Sequence, residues 1–146
     1  MARVKQRADV ELFALIAAIG RLADRCLERA LPLGLSLAGL SVLDRLALED
    51  SLMPNDLARS AGVSRAAMTH TLQRLEADGL IAVADDADDG RRKRISLTAE
   101  GAAAQRAALA AIRPKLEELR AAFEPAEFEA PLPFLRRLAA WLAANL

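Results

Sequence analysis

Leu57-Ala58-Arg59-Ser60-Ala61-Gly62-Val63-Ser64-Arg65-Ala66-Ala67-Met68-Thr69-His70-Thr71-Leu72-Gln73-Arg74-Leu75-Glu76-Ala77-Asp78-Gly79-Leu80-Ile81 is the stretch from which the rest of this chain can be read. It gives a short helix, a tight turn containing Gly62, and a second helix. That order is a helix-turn-helix, whose second helix is shaped to lie in a major groove. Ser64 is placed to cap the second helix, because a serine oxygen there accepts from a backbone N–H that has no partner within the helix. Gly79 closes the other end, and Leu80 then falls where a Schellman cap sets an apolar residue against Leu75. The helix is expected from Ser64 to about Asp78.

At 100° per residue, Met68, Leu72 and Leu75 share one stripe, and Ala66, Thr69, His70 and Gln73 cluster opposite. The first stripe is expected to pack and the second to face outward. The outward set suits base edges: alanine and the threonine methyl match the methyl group of thymine, and glutamine pairs bidentately with adenine. Arg65, near the amino end, is within reach of guanine or a phosphate.

Downstream, Ile81 and Val83 alternate as strand residues do, and so do Ile95 and Leu97 beyond a tip rich in Asp, Gly and Arg. This is a hairpin wing of two to three strands. Its second half carries Arg91, Arg92, Lys93 and Arg94 in a row, a charge able to neutralise phosphates. Asp85, Asp86, Asp88 and Asp89 precede them. Asp85 and Asp86 are expected to be solvated loop residues, whereas Asp89 is expected to orient the Arg91 guanidinium by a charge-assisted pair. Their spacing lacks the Gly and Glu positions of a calcium loop.

Charge balance adds no support for nucleic-acid binding. Residues 54 to 94 hold seven basic and seven acidic side chains, and the whole chain holds 20 of each. The functional reading rests on arrangement.

Taken together, Leu57-Ala58, Ala61 to Ala66, Leu72-Gln73-Arg74-Leu75-Glu76, Gly79-Leu80-Ile81, Asp89-Gly90-Arg91 and Leu97-Thr98-Ala99-Glu100-Gly101 resemble the multiple antibiotic resistance regulator (MarR) family of winged-helix repressors. The resemblance runs over essentially the whole length. It implies a mainly α fold in which a winged helix-turn-helix module, residues 36–98, is inserted between dimerisation helices formed by residues 1–35 and 99–146. It further implies a homodimer on a palindromic operator in double-stranded DNA, recognition helices in successive major grooves ~34 Å apart, and an Asp-x-Arg wing in the neighbouring minor groove. The DNA-binding set is then Ser64, Arg65, Ala66, Thr69, His70, Gln73, Arg74, Asp89, Arg91, Arg92, Lys93 and Arg94. A small-molecule effector is expected in the crevice between the dimer helices and the winged helix, and no cofactor.

Three positions depart from the family pattern. Ala82, Val83 and Ala84 stand where basic residues are common, His70 where an Arg often follows the Thr, and Met53 where a capping Ser or Thr usually precedes Pro54.

The ends of the chain are apolar and amphipathic. A first helix is expected from about Asp9 to Leu31 with Leu12, Phe13, Ile16, Ile19, Leu22 and Leu27 on a broad face that needs a partner. Leu132, Leu135, Leu138, Trp141 and Leu142 repeat the pattern near the other end. A long helix capped by Thr98 is expected to run to about Phe123 with a kink at Pro114. Pro125 suits the start of the last helical region, and Pro131 and Pro133 divide it into a short turn and a longer piece.

Arg3, Lys5 and Arg7 ahead of Leu12 to Ile19 resemble a secretory leader superficially, but Asp9 and Glu11 interrupt it. No run reaches the ~18 apolar residues of a membrane span, and one cysteine makes no internal disulfide, so a cytoplasmic location is expected. One His, one Cys and no Tyr leave little for catalysis, for a metal site or for a phosphate loop. The spacing of Cys26 with Leu22 and Ile19 is that of a small buried residue. A peroxide-sensing thiol, as in one branch of the family, is the alternative, along with a dimeric winged helix that binds protein in place of DNA.

Overall fold

A computed structural model describes residues 2–32 and 34–145, with side chains from Arg7 onward. The outermost positions of the expected helical layer, 1 and 146, and the side chains of Arg3 and Lys5 lie outside it.

The described chain is mostly helical. The first helix, α1, spans Ala2–Glu28. It starts earlier than expected, because nothing between Ala2 and Asp9 breaks a helix. It also stops earlier, because Pro32 disfavours helical backbone at Leu31, and the chain leaves through a turn in which Ala30 N–H donates to Leu27. Helix α2, Leu37–Leu48, is capped by Ser36, whose hydroxyl accepts from Gly39 N–H. Helix α3, Pro54–Ala61, has Met53 at its cap with no side-chain bond, as its sequence requires, and ends at Gly62 with φ +66°.

Helix α4, Arg65–Ala77, is capped by Ser64. Gly79, at φ +74°, closes it in the expected Schellman geometry, with Leu80 N–H donating to Leu75 C=O at 2.9 Å. Strands β1, Ile81–Asp85, and β2, Lys93–Leu97, pair antiparallel with Ile81 opposite Leu97 and Asp85 opposite Lys93. Leu52 adds a single bridge to Ile95, exchanging both backbone bonds at 2.9 and 2.8 Å. The wing is thus two strands plus one residue of a third.

Helix α5, Ala99–Ala122, is capped by Thr98 and runs unbroken through Pro114. Helices α6, Pro125–Glu129, and α7, Leu132–Ala144, follow, divided at Pro131 as expected. The main core lies inside the winged module, where Leu43, Leu57 and Ile95 are almost wholly enclosed and Val42, Leu46, Met68, Leu72 and Leu75 pack around them. A second cluster of Leu31, Leu40, Ala108 and Ile112 fastens α5 to α2 and to the chain following α1.

The terminal helices bury little within one chain. Val10, Phe13, Ile19 and Leu22 on α1 and Trp141 on α7 remain exposed. Cys26 is exposed too, which corrects the expectation of a buried residue. Its apolar spacing marks a face of α1, but only the end of that face, at Leu27, packs against the second cluster, and Ile19, Leu22 and Cys26 remain exposed.

Candidate nucleic-acid interface

Helix α4 divides as its periodicity predicts. Met68, Leu72 and Leu75 are buried, Ala66, Thr69, His70 and Gln73 are exposed on the opposite side, and Arg65 and Arg74 are exposed at its flanks. The buried stripe anchors the helix, so the exposed row is held at a fixed height above the module. Ser64 serves this row from behind: its oxygen accepts from Ala67 N–H at 3.1 Å and is engaged as the cap. Thr71, absent from the expected set, turns its hydroxyl back to Ala67 C=O at 3.1 Å. That bond is internal to the helix and leaves Thr71 no free donor for a base.

The wing tip is shaped by its aspartates. Asp86 Oδ1 accepts from Asp88 N–H at 2.9 Å, and Asp89 Oδ1 accepts from Arg91 N–H at 3.0 Å. Arg92 N–H then donates to Asp89 C=O at 3.0 Å, and Asp86 N–H to Arg92 C=O at 2.9 Å. Asp89 therefore positions Arg91 through its backbone. The expected pairing of Asp89 with the Arg91 guanidinium is replaced by one with Arg92, Nε to Oδ2 at 3.6 Å. The turn brings the Arg91 amide, in place of its guanidinium, to the carboxylate.

Asp85 and Asp86 are not free loop residues. Asp85 pairs with Lys93, its register partner across the hairpin. Asp86, with its side chain only 10% exposed, pairs with Arg94 Nε at 3.4 Å. The Asp88 amide hydrogen bond holds the Asp86 carboxyl below its usual range; the Arg94 charge acts in the same direction, and desolvation opposes both. Arg94 Nη1 also donates to Ser51 Oγ at 3.2 Å. Among the described residues, Arg91 is the wing cation with no carboxylate partner. Ser51 and the Asp85 and Asp86 pairings were missed from sequence, although counting outward from Asp89 along the hairpin sets Asp85 against Lys93.

The junction behind the wing is tightly built. Thr98 hydroxyl donates to Gly79 C=O at 2.7 Å and accepts from Gly101 N–H at 2.9 Å, while Thr98 N–H donates to Leu80 C=O at 3.2 Å. One residue thus joins the end of α4 to the start of α5. Among the described residues, no group of three His, Cys, Asp or Glu side chains is placed to hold a metal, and no helix is long and apolar enough to cross a membrane.

Residues 33–92 match the model of the MarR family. This module is a MarR-family winged helix. The likeness extends past the matched residues, through the helices on both sides. The chain is similar to the transcriptional regulator BldR from Sulfolobus solfataricus, at 26% identity and a TM-score of 0.81 over 91% of this chain and 98% of that one. It is similar to a probable transcriptional regulator from Pseudomonas aeruginosa, at 27% identity and a TM-score of 0.77 over 90% and 98% of the two chains. It is also similar to a mutant MarR from E. coli complexed with operator DNA, at 25% identity and a TM-score of 0.77 over 90% and 95%. No curated protein is significantly similar to the chain. The MarR-family module and these likenesses make the chain a transcriptional regulator with a DNA-binding winged helix.

Proposed function

We propose that the chain is a homodimeric, sequence-specific repressor of MarR type that binds a palindromic duplex and is released by a small-molecule effector. The observation that carries this reading is the uncovered row from Arg65 to Arg74 on a helix whose other side is sealed into the core. In it Thr69 and Gln73 read bases, Arg65 and Arg74 flank them, and Arg91 on the wing reaches the adjacent minor groove. The likeness to a MarR protein complexed with operator DNA supports duplex DNA as the partner.

The homodimer is supported by the apolar faces of α1 and α7, which a second copy would cover. Such a dimer scatters light with twice the monomer mass. The effector reading is supported by a groove of about 730 Å³ reaching from Asp24 on α1 to the inner side of α4, with Ser41, Leu48, Leu57, Met68 and Thr71 among its walls. A ligand there releases DNA only by binding one arrangement of the dimer better than another.

Gel shift against a duplex from upstream of the coding sequence tests the reading. Salt-sensitive, sequence-selective binding that falls by ~1–3 kcal/mol on Gln73→Ala is the expected result. No binding at low salt points instead to a winged helix that recognises protein. A second reading, redox release through Cys26, gains from the exposure of that thiol. Peroxide release that persists in Cys26→Ser removes it.

A further inference from the structure

The wing presents four consecutive cations, yet three of them already face carboxylates of the same hairpin. Arg94 differs from its neighbours. Its Nε meets Asp86 and its Nη1 reaches Ser51, 43 positions away in sequence and just before Leu52, the residue bridged to Ile95. Two residues beyond Leu52, α3 begins at Pro54. Arg94 therefore spans from the wing tip to the segment that feeds the helix-turn-helix. Asp86 works on both sides of this span, because its other oxygen closes the tip turn through Asp88 N–H.

We infer that Arg94, held by Asp86 and Ser51, is a positioning residue that sets the angle of the wing against the α2–α3 connection and makes no phosphate contact, leaving Arg91 as the wing's DNA-facing cation. The inference rests on the DNA-binding reading above. Asp86 and Ser51 engage two of the five N–H donors of Arg94 and fix the plane of its guanidinium, and giving up either partner for a phosphate would loosen the hairpin near its tip. Arg91 has the opposite environment: its amide is pinned by Asp89 and its side chain meets no carboxylate among the described residues.

The full-length protein and a duplex selected by the wild type from a random pool provide the test. Affinity is measured against salt for wild type, Arg91→Ala, Arg94→Gln, Asp86→Asn and the Asp86→Asn/Arg94→Gln double variant. Each phosphate charge no longer neutralised lowers the salt slope by ~0.9, so removing the Arg91 cation from the groove on both wings of a dimer with Arg91→Ala lowers it by about 2. Arg94→Gln and Asp86→Asn each weaken binding by roughly 3- to 10-fold with the slope unchanged. The double variant is no weaker than either single one, because both remove the same clamp. Hydroxyl-radical protection is lost at the wing-contacted flank and kept in the major-groove half-sites, which general destabilisation would not produce.

If Asp86→Asn instead tightens binding and steepens the salt slope, Asp86 is restraining a phosphate-binding arginine and the inference is overturned. A lower slope for Arg94→Gln overturns it equally. Should the wild type select no duplex at low salt, the DNA-binding reading itself fails, and the inference falls with it by a separate route.

Discussion

Gly101→Ala is the sharpest probe of how the wing is mounted. A Cβ built at Gly101 would sit 1.9 Å from Leu80 O and 2.9 Å from both Leu80 C and Leu97 Cδ1. The first contact is on the order of 1 Å shorter than carbon and oxygen tolerate in a packed interior, and its partner is backbone, which cannot swing aside. The start of α5 must therefore move away from the α4–β1 junction. That movement stretches the 3.2 Å bond from Thr98 N–H to Leu80 C=O.

Overpacking of this kind costs about 1–3 kcal/mol, and a weakened backbone bond about 1 kcal/mol more. The better helix propensity of alanine returns about 1 kcal/mol. The net loss is about 2 kcal/mol, which for a chain of this size lowers Tm by roughly 4–8 °C. Thermal melts followed by circular dichroism at one fixed concentration measure it. Gly20→Ala is the matched control, since a Cβ at Gly20 meets nothing within 4 Å and its site is helical. The control is expected to be neutral or slightly stabilising. A Gly101→Ala melt equal to or above wild type would refute the argument that this close approach fastens α5 to the wing.

Three further outcomes follow from the same structure. Ser64→Ala removes the cap oxygen from Ala67 N–H and is expected to lower stability by about 1 kcal/mol, read as a shift in urea midpoint with unchanged m. Leu43→Ala, at a side chain with 0% exposure in the main core, is expected to cost about 2–5 kcal/mol through lost burial and a residual cavity, again by urea titration. The Asp86 carboxyl titrates lower in the folded chain than in the unfolded one. Its contribution is therefore fully present above the unfolded value and is lost as pH falls below about 4 through the folded value. The stability difference between wild type and Asp86→Asn should accordingly persist at pH 6 and shrink steadily in acid; a difference that grows in acid would contradict the sign.

Within the sequence alone, the features set by neighbours three to five positions apart were legible. Ser64 and Thr98 as caps, Gly79 as a left-handed closure and the split of α4 into a buried and an exposed side all depend on local backbone geometry and helical period. The outward row at Thr69, His70 and Gln73 belongs to this class. The tertiary structure alone decided how the wing charges are spent, because ion pairs depend on hairpin register and on which distant segment lies alongside. Arg94 meets Ser51 from 43 positions away, Asp89 takes the Arg92 guanidinium in place of that of Arg91, and Gly101 lies against Leu80. Cys26 shows the same divide. Periodicity assigned it to an apolar face, but whether a face is covered depends on what packs against it, and within one chain nothing encloses that thiol.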